Sequence, residues 1–157
     1  MSNAFYPPIS KATCEVFKLM LDLDASAGSP HALSLQDGLG DAVQVAVEVT
    51  GDMAGNIYYR FPRETTLKMV NIMSGMEFDR VDEFVTSALG EIANIISGNA
   101  MTALSEQNVS CDILPPRIVG TEEPLPPNIM KDITVIDVNT YIGDVSLGIH
   151  ITQKTDS

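Results

Sequence analysis

The stretch TSALGEIANIISGNAMTALSE, from Thr86 to Glu106, limits most strongly what this chain can fold into. At about 100° per residue, Val85, Leu89, Ile92, Ile96, Ala100 and Ala103 fall on one side of a helix, spaced by three or four. Asp79 or Asp82 is expected to cap its start. Such a helix is about 30 Å long, and its apolar stripe needs a second layer of comparable extent to cover it. The other side carries Ser87, Glu91, Asn94, Gly98 and Ser105.

That second layer is legible as strands. AVQVAVEVT alternates and is rich in valine, GDMAG is turn chemistry, and NIYYRF returns as the second arm of a hairpin. PRETTLKMVNIMSG follows as a short helix, with Pro62 near its start and Gly75 after its end. VSCDIL reads as a short strand, the pair Pro115-Pro116 excludes a helix interior, and DITVIDVNTYIGDVSLGIHIT reads as two strands joined by a turn. Ahead of the hairpin, ISKATCEVFKLMLDL is expected to be helical with Val16, Leu19, Met20 and Leu23 on its inner stripe. DASAGSPHAL is expected to be a loop. Neighbouring strands joined by short connections favour antiparallel pairing. The expected class is α/β of the α+β kind: a mainly antiparallel sheet with long helices packed on it, in one domain over residues 5–155.

Charge excludes several functions. The chain of 157 residues carries 21 acidic against 9 basic side chains, a net charge of -12, with no basic cluster. Nucleic acid and anionic lipid both need such a cluster, so neither is an expected partner. No apolar run approaches the roughly 20 residues that cross a bilayer, and no secretory signal is visible. A cytoplasmic location is the expectation. Cys14 and Cys111, far apart in sequence, read as buried thiols rather than a disulfide or a metal pair. His31, in the loop, and His150, in the last strand, are isolated, and no metal site is expected.

On the polar side of the long helix, Glu91 and Asn94 are i and i+3, which places their Cβ atoms about 5–6 Å apart. Ser87, one turn earlier, is placed to donate to the Glu91 carboxylate. Gly90 and Gly98 each cost a helix roughly 1 kcal/mol relative to alanine, and with Ser87 they leave a low surface around the two longer side chains. Ile95 and Ala88 lie at its edge. That relief suits the close approach of another protein. A solvated face is the plain alternative, and ExxN by itself does not separate the two.

A longer pattern does. Ser87, Glu91, Asn94 and, after 21 further residues, Pro116 together resemble the signature of the CheC/CheX/FliY family of chemotaxis phosphatases, which act on phosphorylated CheY. GNIYYRFPRETTLKMVNIMSGME and CDILPPRIV resemble the segments that flank the motif helix in CheX proteins. A single ExxN helix points to the CheX branch. The resemblance implies a CheC-like fold, a homodimer, and a CheY-like response regulator as substrate. It also implies that Glu91 pairs with the regulator's active-site lysine, that Asn94 holds the attacking water, and that Ser87, Gly98, Ile95 and Pro116 support or dock. Mg²⁺ is expected in the regulator's own acidic pocket, with no cofactor held by this chain. Two other readings stay open: a binding module of the same fold without catalysis, and a small-molecule sensor with a pocket between residues 24–31 and the hairpin.

Overall fold

A computed structural model describes residues 5–32, 42–119 and 132–153. Helix α1 (Tyr6–Leu21) is followed by two-residue strands β1 (Ser26–Ala27) and β2 (His31–Ala32), then by the hairpin β3 (Ala42–Gly51) and β4 (Met53–Pro62). Helices α2 (Arg63–Ser74) and α3 (Glu83–Ser105) come next, then β5 (Cys111–Ile113), β6 (Arg117–Val119), β7 (Thr134–Thr140) and β8 (Gly143–Gln153). The strands form one antiparallel sheet in the order β1-β7-β8-β4-β3-β5, with β2 also on β7 and β6 also on β3. The mixed α+β architecture with an antiparallel sheet is the expected one.

Alternation decides which face of the sheet is covered. Val43, Val45, Val47 and Val49 of β3 point inwards, with Ile57, Tyr59 and Phe61 of β4 and Leu147 and Ile149 of β8 beside them. Register aligns these side chains in rows, Val45 opposite Tyr59 and Tyr59 opposite Leu147, Val47 opposite Ile57 and Ile57 opposite Ile149. Ile9, Val16 and Phe17 of α1, Met69 of α2 and Leu89, Ile92, Ile96 and Leu104 of α3 complete the same core. The three helices thus contribute to one core with the inner face of the sheet. A smaller cluster of Ala46, Tyr58 and Ile133 lies on the opposite face.

The structure departs from the expected elements in α1, in residues 24–31 and in the hairpin. Leu19 is 82% exposed, so it does not belong to the inner stripe of α1. The buried side is Ile9, Ala12, Thr13, Val16 and Phe17, and the helix ends at Asp22, whose left-handed backbone (φ 52°) turns Leu23 into the core after the helix rather than along it. Residues 24–31 are more than a loop: Ser26–Ala27 and His31–Ala32 pair with the edge of β7. With that pairing His31 is not isolated, since its Nε2 meets Asp137 Oδ2 at 2.9 Å. The hairpin also closes more tightly than GDMAG implied. Gly51 and Met53 end the two strands around Asp52, whose carboxylate accepts from the Ser110 N–H at 2.7 Å while its own N–H donates to the Ser110 carbonyl at 2.9 Å. This double link holds β5 beside β3.

Candidate functional site

Helix α3 is built as a stiff rail. Asp82 caps it, its Oδ1 accepting from Val85 N at 3.0 Å. Val85, Leu89, Ile92, Ile96 and Ala100 are all fully buried, as the periodicity predicts, whereas Ala103 is only half-buried. Ser97, also fully buried, meets the Tyr59 hydroxyl at 2.7 Å and so ties the middle of the helix to the central strand β4.

The side turned away from the core carries the residues singled out above. Ser87 and Glu91 are exposed, and Asn94, Ile95 and Gly98 are half-buried. Among the described residues, neither the Glu91 carboxylate nor the Asn94 amide takes a hydrogen bond or ion pair. The Ser87 hydroxyl likewise makes no bond to Glu91; both side chains face open surface. Gly98 has nothing within 4 Å of the place a Cβ would take, and its carbonyl accepts from Thr102 Oγ1 at 3.1 Å. The helix therefore presents a carboxylate and an amide one turn apart, each with its full hydrogen-bonding capacity unused by the described residues.

Gly90 serves differently from the sequence reading. It is buried, and a Cβ on it would lie 3.8 Å from Pro116 Cγ and 3.9 Å from Ile118 Cδ1. The low profile at Gly90 thus receives the chain's own Pro116 and β6, not an outside molecule. Pro116 stands beside the helix at the residue preceding Glu91, which brings the fourth residue of the sequence pattern next to the site.

A groove of about 290 Å³ runs between α1 and α3, lined among others by Lys11, Glu15, Asn99, Thr102 and Glu106. No group of His, Cys, Asp or Glu fit to hold a metal ion occurs among the described residues. Cys14 and Cys111 are free, half-buried thiols, and burial pushes Cys14 up from its ordinary value. Among the described residues, no helix is long and apolar enough to cross a membrane.

Comparison with known proteins places the chain in a family. The family model described as "Chemotaxis phosphatase CheX" matches residues 43–128, which run from β3 through α3 and past Pro116. The chain is 31% identical over 107 residues to the CheY-P phosphatase CheX of Thermotoga maritima, covering 68% of each protein. In fold it is similar to the crystal structure of the chemotaxis protein CheX from Vibrio vulnificus, with a TM-score of 0.84 at 22% identity over 95% of this chain and 99% of that one. The CheX of the Borrelia burgdorferi CheX–CheY–BeF3–Mg²⁺ complex is also similar, with a TM-score of 0.76 at 24% identity over 95% of this chain and 98% of that one.

Proposed function

The chain belongs to the CheX family, and we propose that it is a phosphatase that hydrolyses the aspartyl phosphate of a CheY-like response regulator. The observation that carries this reading is the pair Glu91 and Asn94, one turn apart on a rigid helix and without partners of their own among the described residues. The curated relative at 31% identity is a CheY-P phosphatase, which supports the reaction. The fold neighbour from Borrelia burgdorferi was solved with CheY, which supports the partner.

Hydrolysis of an acyl phosphate proceeds by in-line attack of water through a loose transition state, so a catalyst has more to gain from placing water and charge than from a strong base. The Asn94 amide offers a donor and an acceptor on one planar group, enough to hold a water opposite the leaving carboxylate. Glu91, a neighbouring carboxylate, pairs with the regulator's active-site lysine and sets the register in which Asn94 reaches the phosphoryl group. Mg²⁺ comes with the regulator's own acidic pocket. Gly98 and Ile95 shape the surface on which the regulator lies, while Pro116, packed at Gly90, fixes the helix from the side. Ser87 lines the same surface one turn before Glu91. We further propose that the chain works as a homodimer in the cytoplasm, the first of which sedimentation of the purified protein checks.

The deciding experiment follows the lifetime of the phosphoryl group on CheY-type regulators from the organism that supplies this chain, with and without the protein. Faster loss with wild type and not with Asn94→Ala is the expected result. Complex formation without faster loss on any regulator would replace the phosphatase by a binding module.

A further inference from the structure

Phe84 lies on the same exposed side of α3 as the Glu91–Asn94 pair. It precedes Glu91 by seven residues, which is about 10 Å along the axis and within about 20° of the same line. Its side chain is 56% exposed. A lone exposed aromatic is ordinary, but this one is held in place. Its ring stacks on Phe78 with 5.2 Å between centroids and 8° between planes. The Phe78 N–H donates to Asn71 Oδ1 at 2.8 Å, Arg63 Nη2 donates to the Asp79 carbonyl at 3.3 Å, and Asp82 caps the helix two residues before Phe84. Polar side chains of α2 and the Asp82 cap therefore fix the backbone of the α2–α3 connection around the aromatic pair.

The surroundings are acidic. Glu77, Asp79, Asp82 and Glu83 are all exposed there, against two bases, Arg80 and the Arg63 that donates to the Asp79 carbonyl. Glu91 and Asn94 by themselves present no apolar area, whereas a specific protein complex buries about 600–1,000 Å² on each side around an apolar centre. A ring that is already ordered loses little freedom on binding.

We infer that Phe84, backed by Phe78, is a second docking anchor for the phosphorylated regulator, taking an apolar spot rimmed by Lys or Arg about 10 Å from the phosphoaspartate. The anchor rests on the phosphatase reading and adds to it a determinant of which regulator is accepted. Charge complementarity favours a basic rim on the regulator, and continuity with Glu91 along one helix fixes its distance from the reacting group.

The test uses the full chain as wild type, Phe84→Ala, Phe84→Leu and Phe78→Ala, with CheY-type regulators phosphorylated by acetyl phosphate. Phe84→Ala is expected to raise KM about tenfold while kcat stays within about twofold. Phe84→Leu should recover most of the loss, and Phe78→Ala should fall between. An unchanged KM in Phe84→Ala overturns the anchor and leaves the phosphatase standing. So does conversion of a dimer to a monomer by that variant, which would assign the ring to a second copy of the chain. If wild type turns over none of the regulators, the phosphatase reading fails, and binding to beryllofluoride-loaded regulators decides the anchor. Weaker binding by Phe84→Ala then supports it, whereas equal binding, or none by wild type, removes it.

Discussion

The hydroxyls of Tyr59 and Ser97 lie 2.7 Å apart, both fully buried where β4 meets α3. One group donates and the other accepts, so each satisfies the other in a place water does not reach. Because Ser97 follows Asn94 by three residues, this bond also fixes the height and rotation of the helix just behind the candidate site. Removing one partner leaves the other buried and unsatisfied. Tyr59→Phe and Ser97→Ala are each expected to destabilise the protein by about 1–3 kcal/mol. The double variant should lose less than the sum, as read from urea unfolding midpoints.

Burial pushes the Tyr59 phenol up from its ordinary value, outweighing the hydrogen bond with Ser97, which pulls the other way. The folded state therefore keeps the phenol neutral where the unfolded chain, titrating near about 10, ionises. This contribution is fully present below pH ~10 and is lost as the pH rises from there towards the folded value. Stability should fall between about pH 10 and 11 more steeply in wild type than in Tyr59→Phe, measured by unfolding at a series of alkaline pH values.

Asn94→Ala removes the water-placing amide without touching the core. Turnover should drop about 10²–10³-fold, by analogy with the loss of one oriented donor, while the concentration of regulator needed for half-maximal rate changes little. Glu91→Gln keeps the shape and removes the charge, so it should weaken docking and slow turnover together. Steady-state kinetics on one phosphorylated regulator separate the two patterns. Wild-type rates in both variants would remove this pair from the mechanism.

Two glycines of α3 predict opposite readouts. Gly90→Ala places a Cβ in ordinary contact with Pro116 and Ile118, and Gly98→Ala meets nothing within 4 Å. Each should stabilise the helix by up to about 1 kcal/mol. Gly98 faces the proposed docking surface, so its alanine should raise KM despite the higher melting temperature. Gly90 faces the chain's own β6, so its alanine should leave KM alone.

Gly55 has no such tolerance. Its backbone sits at φ +150°, and a Cβ there would run into the carbonyl oxygen of His150 on the neighbouring strand β8. Gly55→Ala is expected to cost about 3 kcal/mol or more, visible as a lower thermal midpoint or loss of soluble protein.

Much of this architecture could be read in advance because its information is local. The three- and four-residue spacing from Val85 to Ala100 decides that α3 is a helix and which side is buried, and Asp82 marks its start. The valine alternation from Val43 to Val49 does the same for β3, and the helical spacing of α3 alone also places Glu91 and Asn94 together on the open side. What local pattern leaves undecided is whatever depends on a partner distant along the chain. Leu19 is as apolar as Phe17, and only the packing of α1 on the core turns one inward and leaves the other in solvent. Ser26–Ala27 and His31–Ala32 have no strand pattern of their own, because β7, more than a hundred residues later, supplies their hydrogen bonds. Gly90 reads as relief for a visitor until β6 is seen to lay Pro116 against it. Periodicity thus determined the elements and their faces, since burying an apolar stripe is a property of the helix or strand itself. Tertiary structure decided which surface is free, since that depends on what the rest of the chain already covers.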